Sequence, residues 1–286
     1  MVEAGYWIRG VRGMKAASLT VGVAAVAALS ACGGSGTPDL ESTEPSVIYQ
    51  QAEGELARND AEGAAVLFAE VERLYPYSDW AKRALIMQAF SYHRDRDYES
   101  ARGAAQRYID FYPADEDAAY AQYLLALSYY DQIDQIGRDQ GLTFQALQAL
   151  RTVIERYPES EYARSSRLKF DLAFDHLAAK EMEIGRYYLK RQHHSAAINR
   201  FRAVVEEFQT TSHTPEALMR LVEAYLSLGL NQEAQTAGAI LGYNYQSSPF
   251  YDDAYRQLTG AGLTPEASGS GWLRSVYDRT IRGRWL

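Results

Sequence analysis

Apolar and small residues recur along most of the chain at a spacing that predicts pairs of amphipathic helices. The clearest pair lies between residues 85 and 113, where Ala89 and Tyr92 are three apart and Ala101 and Ala105 are four apart. Small residues allow two crossing helices to approach closely, and the aromatic ring fills the space beside them. The stretch therefore predicts a helix, a turn and a second helix. The two helices share an apolar face, which a neighbouring repeat has to cover.

The same offsets recur, with a degenerate position (Glu55, Gln209 or Gln246) in three of the copies. Five matches in series are typical of tetratricopeptide repeats, and they predict an all-α tetratricopeptide-repeat solenoid of about five helix-turn-helix repeats. The marking residues outside the pair above are Ala52, Ala64, Phe68 and Pro76 in repeat one; Ala126, Tyr129, Ala146, Leu150 and Pro158 in repeat three; Gly185, Tyr188, Ala197 and Phe201 in repeat four; and Val222, Tyr225, Ala234 and Gly238 in repeat five.

Two stretches depart from this pattern. Repeat three carries eight extra residues between its helices, within the polar run DQIDQIGRDQG. From Ser160 to Gln192 there is no proline and only Gly185 interrupts the pattern, so we expect one long helix or two with a kink at Gly185. Residues Glu161 to Lys180 would then form a stiff strut that joins N-terminal repeats one to three (46–160) to C-terminal repeats four and five. The long helix and these two repeats together span residues 161–259.

The N-terminus has the pattern of a targeting segment. Met14-Lys15 opens a short basic start, and the apolar run that follows is too short to span a bilayer. The string Leu29-Ser30-Ala31-Cys32 resembles the bacterial lipobox, in which the cysteine becomes the lipidated first residue of the mature protein. We therefore predict a lipoprotein signal peptide over residues 1–31, with Met14 as an alternative start, and a covalent lipid, palmitate among its acyl chains, on Cys32.

Cys32 is the single cysteine of the chain, and the alternative is an ordinary secretory signal with a chance cysteine. An unpaired thiol is unusual in an exported protein, which favours lipidation. Residues 32–45 would form a flexible tether with a reach of roughly 20 Å. Gly33 follows the cysteine where lipoproteins retained at the inner membrane often carry Asp, so we expect the periplasmic face of the outer membrane.

The charge of the chain disfavours nucleic acid as a partner. The full sequence carries a net charge of −8, and removing residues 1–31, which carry +3 − 1 = +2, leaves −10. An acidic protein of this kind is repelled by phosphate backbones and by anionic lipid surfaces.

The first helices of repeats one to three share an aromatic-rich face that predicts a groove for an extended peptide. Periodicity cannot separate a groove wall from a core, so the alternative is that these rings pack between repeats. The candidate groove residues are Tyr49, Glu53 and Leu56 in repeat one, Ile86, Phe90 and His93 in repeat two, and Tyr123, Leu127 and Tyr130 in repeat three.

The last segment, residues 260–286, consists of a Gly-rich linker and an Arg/Trp-rich tail. The tail, WLRSVYDRTIRGRWL, carries four arginines and one aspartate, a local charge of +3. Three structures fit it: a short helix that docks on a partner or on lipid headgroups, a disordered tail, or a cap on the apolar end of the last repeat.

The sequence lacks the usual motifs of catalysis, including phosphate loops, dinucleotide glycine patterns and nucleophile elbows. His193-His194 is the most metal-like pair, but adjacent helical residues point to different sides, so a turn is the favoured interpretation. We therefore predict a protein that is not an enzyme, with no metal and no cofactor apart from the lipid on Cys32.

Three strings, IGRYYLKRQHHSAAINRF, EALMRLVEAYLSLGL and AILGYNYQSSPFY, resemble the BamD family of outer-membrane assembly lipoproteins. The resemblance covers about Ser46 to Leu258. It implies a non-enzymatic subunit of the β-barrel assembly machine (BAM complex) that docks on the insertase BamA through its C-terminal repeats. It also implies other assembly-machine subunits as partners, and N-terminal repeats that receive the C-terminal segments of unfolded outer-membrane proteins. Arg200 matches a family position at the insertase contact, and a solvated helix arginine is the alternative.

Another class of function also fits the repeats. A different periplasmic tetratricopeptide lipoprotein, such as a coordinator of the cell envelope or of division, would share the anchor and the solenoid. Such proteins usually carry a coiled-coil segment, and the sequence has no sustained heptad. The assembly function is therefore the favoured hypothesis.

Overall fold

The structure, a computed structural model, describes residues 40–136, 138–267 and 271–282. The chain divides into two compact units, 1–42 and 43–286. Within the first unit the described residues form the short 3-10 helix Leu40–Ser42. The helices of the second unit are α1 Pro45–Ala57, α2 Ala61–Leu74, α3 Asp79–Asp95, α4 Tyr98–Phe111, α5 Ala118–Tyr130, α6 Gly141–Arg156, α7 Glu161–Lys190, α8 His194–Glu207, α9 Thr214–Ser227, α10 Asn231–Asn244, α11 Pro249–Gly260 and α12 Trp272–Arg282.

The ten helices α1 to α10 form the five predicted pairs, and the tetratricopeptide-type solenoid is confirmed. Most of the small and apolar marking residues of the pattern are buried between helices. Complete burial is seen for Ala52, Ala64, Phe68, Ala89, Ala101, Ala105, Ala126, Ala146, Leu150, Ala197, Phe201, Val222 and Ala234. Small residues at most of these positions therefore let the two helices of a pair approach closely.

Each pair ends in the same turn, in which the amide of one residue donates to the carbonyl three residues earlier. The five bonds are Ser78 to Tyr75 (3.0 Å), Asp115 to Tyr112 (3.1 Å), Ser160 to Tyr157 (3.0 Å), Thr211 to Phe208 (3.0 Å) and Ser248 to Tyr245 (2.9 Å). Ser78 and Ser160 then cap the next helix through their hydroxyls. The turn forms with glutamine at 209 and 246 as well as with proline, so the degenerate positions keep the repeat geometry.

The long helix predicted between Ser160 and Gln192 is the single helix α7, which continues through Gly185. Gly185 is buried because it lies against Phe201 of α8, where a Cβ atom would stand 2.4 Å from the ring. The glycine therefore permits a close helix crossing and does not interrupt the helix.

The tail forms α12, which packs on the solenoid through Leu273 and Val276. Both belong to a continuous buried cluster that begins at Leu147 on α6 and includes residues of α7 to α11. Of the three structures considered for the tail, the described part therefore adopts a cap, and it reaches over α8 to α10. Residues 283–286 lie outside the described part.

Candidate functional site

Arg200 lies on α8 at a cleft of about 560 Å³ between α6, α7 and α8. The cleft is open to solvent and combines charged side chains with apolar ones. Its walls are formed by Gln140, Phe144, Leu177, Lys180, Glu181, Tyr188, Ala196, Asn199, Arg200, Ala203, Glu207 and Phe208. We call this surface the α6–α8 cleft.

An apolar recess of about 320 Å³ continues the α6–α8 cleft toward the N-terminal half of α7. The rings of Phe170 and Phe174 are stacked with centroids 5.8 Å apart, and Phe174 lies 4.9 Å from Phe208. Phe144 stands at the edge shared by the cleft and the recess, with 60% of its surface exposed. The exposed ring and the recess beside it together offer an apolar surface that another molecule can contact.

The guanidinium of Arg200 forms an ion pair within the protein and is still accessible to solvent. Its guanidinium donates to Glu181 Oε2 at 3.1 Å, and 43% of the side chain is exposed. An exposed ion pair of this kind contributes little to stability, so Arg200 can exchange Glu181 for a carboxylate on a partner at little cost. The cleft can thus bind an acidic group above an apolar recess.

The insertion of repeat three forms one border of the cleft. Lys180 Nζ donates to the Arg138 carbonyl at 3.1 Å, and Gln140 Oε1 lies 3.3 Å from His176 Nδ1. These bonds hold the insertion against α7.

Sequence reasoning singled out Arg200 alone and missed Phe144, Phe174 and the insertion as parts of the same surface. An apolar residue at a solvent-facing position of α6 was the available signal for Phe144.

The groove residues of repeats one and two mostly pack between helices. Tyr49 lies 5.1 Å from both Phe68 and Trp80, ring centroid to ring centroid, and burial raises its pKa. Phe90 packs against the buried cluster of α3 to α5. Glu53 is exposed. Tyr49 therefore joins repeat one to repeat two, as the packing alternative expected.

The remaining groove residues contact the next repeat or the long helix. His93 Nε2 lies 3.1 Å from Asp131 Oδ2 at the end of α5. Tyr123 stacks on Tyr162 of α7 at 5.3 Å, and Lys169 Nζ lies 4.9 Å from the Tyr130 ring. These contacts connect successive repeats, and whether the face also binds a peptide stays a prediction.

Several features of the chain bear on other chemistry. Cys32, the predicted lipidation site, lies outside the described residues. Among residues 40–136, 138–267 and 271–282, no three His, Cys, Asp or Glu side chains are close enough together to hold a metal ion. In the same part of the chain no helix combines the length and the apolar character that crossing a bilayer requires. His193 occupies the N-cap position of α8 and His194 is its first residue, at the predicted turn.

The chain is similar to known bacterial proteins over most of its length. The model of a family described as outer membrane lipoprotein, YfiO, matches residues 41–240. The chain is 48% identical over 237 residues to the outer membrane protein assembly factor BamD of Caulobacter vibrioides, covering 82% of this chain and 78% of the relative. The BamD proteins of Rickettsia prowazekii and Neisseria meningitidis serogroup A are 46% and 30% identical, over 68% and 85% of this chain and 77% and 96% of their own lengths.

Proposed function

The chain belongs to the YfiO family of outer membrane lipoproteins, and we propose that it acts in the assembly of outer membrane proteins. The observation that carries this proposal is its 48% identity, over most of both chains, to a relative named as an assembly factor. This agrees with the resemblance noted in repeats four and five, and favours assembly over a role in division or the cell envelope.

The mode of action that we propose is a scaffold without catalysis, anchored by lipid on Cys32 at the periplasmic face of the outer membrane. Its repeats offer extended surfaces, which suit the binding of partners and unfolded segments. Three acyl chains would hold such a protein firmly, since each buried CH₂ contributes about 0.8 kcal/mol and two chains already suffice.

We propose further that the α6–α8 cleft docks on a periplasmic domain of the insertase BamA. The support is the combination of an exposed phenylalanine, a recess lined by rings and an accessible arginine at one site. Buried aromatic and arginine side chains dominate the binding energy of many interfaces. Phe144 would anchor the contact, and Arg200 would pair with a carboxylate of the insertase.

Co-purification of the tagged full-length chain from detergent-extracted membranes of its own organism tests the function. BamA and other subunits of the assembly machine should be recovered with the chain. Recovery of envelope or division proteins in place of BamA would contradict the proposal.

Charge variants at Arg200 test the docking site. Arg200→Gln should weaken the association with BamA about tenfold, mainly through slower binding, and raised salt should reduce the difference. Glu181→Gln releases Arg200 from its internal partner, so it should leave the association unchanged or strengthen it. Arg58, which forms a similar exposed pair with Glu55 on α1, supplies the matched control Arg58→Gln. Equal loss in both arginine variants would remove the cleft from consideration.

A further inference from the structure

A tryptophan of α12 occupies a pocket formed by two other helices. Trp272 Nε1 donates to the Tyr225 hydroxyl of α9 at 3.1 Å, and the Arg202 guanidinium of α8 lies 4.8 Å from the indole ring centroid. Arg202 is oriented by Glu206, with bonds of 2.8 Å from Nε and 3.1 Å from Nη2. Residues of α8 and α9 therefore position the cation and the hydroxyl that recognise the indole.

Aliphatic side chains complete the contact. Leu273 and Val276 follow the tryptophan at positions +1 and +4 and are 2% and 4% exposed. They join the buried cluster of repeats four and five. A cavity of about 170 Å³ remains between α12 and the turn joining α9 to α10, where Leu230 and Glu233 form part of its wall. The solenoid thus recognises one face of a helix, defined by an indole and two aliphatic residues.

The position of α12 in the chain separates it from the repeats. The family match ends at residue 240, within α10, and α12 follows α11 after an eleven-residue connection, 261–271. An isolated helix of eleven residues is not stable in water. Docking and folding of α12 are therefore coupled, and its helical state depends on the pocket.

We propose that repeats four and five carry a binding site for an amphipathic helix with a tryptophan followed by aliphatic residues at +1 and +4. In this chain α12 fills the site as an intramolecular ligand. A partner helix of the same chemistry would displace it. This site is distinct from the α6–α8 cleft and does not depend on the identity of the partner docked there.

The affinity expected for the isolated ligand follows from its tether. A short linker gives an effective concentration on the order of 1 mM. For α12 to be docked at least tenfold more often than free, the corresponding separate peptide has to bind the empty site with a Kd below about 100 µM. Because α12 occupies the site in the intact chain, the apparent affinity of the intact chain for that peptide is lowered at least about tenfold.

The test uses a labelled synthetic peptide of residues 271–286 and the full-length chain, with binding followed by fluorescence anisotropy. The double variant Trp272→Ala with Leu273→Asp should vacate the site and bind the peptide with a Kd below about 100 µM. Wild-type chain should bind it at least about tenfold more weakly. A control peptide with the same two substitutions should not bind, and Arg202→Gln added to the vacated chain should weaken binding about tenfold.

Two results would overturn the proposal. The first is a vacated chain that keeps its helical circular dichroism and binds neither peptide at 1 mM, or binds both equally. The second comes from hydrogen exchange on wild-type chain, which does not require any variant to fold. Amides of α12 should exchange at least tenfold faster than those in the middle of α9, and equal protection would show that α12 does not open separately.

Discussion

A Cβ atom on Gly185 would stand 2.4 Å from Cε1 of Phe201, the ring that fills the crossing between α7 and α8. Phe201 is completely buried, and Gly185 is buried against it. The repeat pattern of the sequence marked both positions, but it left open a kink of the helix at Gly185. The close contact with the Phe201 ring is the physical reason why position 185 needs a residue without a side chain.

Gly185→Ala should destabilise the protein, because the added methyl group forces the ring or the helix to move. Strain of this kind costs about 1–3 kcal/mol, partly offset by a gain of about 1 kcal/mol in helix propensity. Urea denaturation followed by circular dichroism measures the difference. Gly54→Ala and Gly103→Ala are matched controls, since a Cβ there meets nothing within 4 Å, and both should stabilise the protein. Equal stabilisation at all three positions would contradict the crossing.

Stability should fall between pH 4 and pH 2, because Asp115 accepts hydrogen bonds from Lys82 at 2.5 Å and from the Tyr108 hydroxyl at 2.6 Å. These bonds, that from Lys82 first, lower the Asp115 pKa from 3.8 to about 2. A carboxyl with a lowered pKa stabilises the folded state above its unfolded pKa, and that contribution is lost as pH falls toward the folded pKa.

Asp115→Asn should remove this part of the pH dependence, about 1 kcal/mol after solvent screening. Urea midpoints at pH 5 and pH 2 provide the measurement. Asp171→Asn, on the exposed face of α7, is the control and should keep the wild-type slope. A slope that persists without Asp115 would assign the acid sensitivity to other carboxyls.

The turns inside the repeats contain left-handed residues, among them Arg96 with φ 67° and Gln192 with φ 63°. At the corresponding turn of repeat five the residue is Gly229, with φ 71°. Since this conformation costs a residue with a side chain about 1 kcal/mol, Gln192→Gly should stabilise the protein and Gly229→Ala should destabilise it by similar amounts. Thermal unfolding of the two variants measures both signs, and a shared direction would contradict the turn geometry.

Loss of the predicted anchor should change where the protein is found. Cys32→Ala removes the only thiol on which a thioether lipid could form. After detergent phase partitioning, the wild-type chain should enter the detergent phase and the variant should remain in the aqueous phase. A variant that still partitions into detergent would show that another segment holds the protein on the membrane.

The predicted peptide groove can be separated from packing by stability measurements. Tyr49→Ala with Phe90→Ala should lower binding of a C-terminal peptide of an outer-membrane β-barrel protein, and should also cost stability, because Tyr49 packs on Phe68 and Trp80. Fluorescence titration with the labelled peptide measures the binding, and circular dichroism reports whether the helices persist. The control Tyr77→Ala changes a fully exposed ring. Unchanged binding in the double variant would leave these residues with a packing role only.

Helix pairing, the number of repeats and the extent of the long helix could be derived from the order of residues. Small residues at Ala89 and Ala101 mark a crossing, and Ser160 opens the long helical stretch, because these are local effects of side-chain size and capping. Family membership was accessible for the same reason, since it resides in contiguous strings such as that around Arg200.

Tertiary structure alone decided which surfaces meet across the chain. Periodicity shows that Trp272 and Leu273 lie on an apolar face, but not that the face packs on Arg202 and Tyr225. It likewise marks Arg200 without showing that Phe144 lies beside it in one cleft. The physical reason is that helix periodicity reflects side chains only a few residues apart. Contacts between helices that are distant in the sequence depend on the shapes of the folded surfaces, which a short stretch of sequence does not specify.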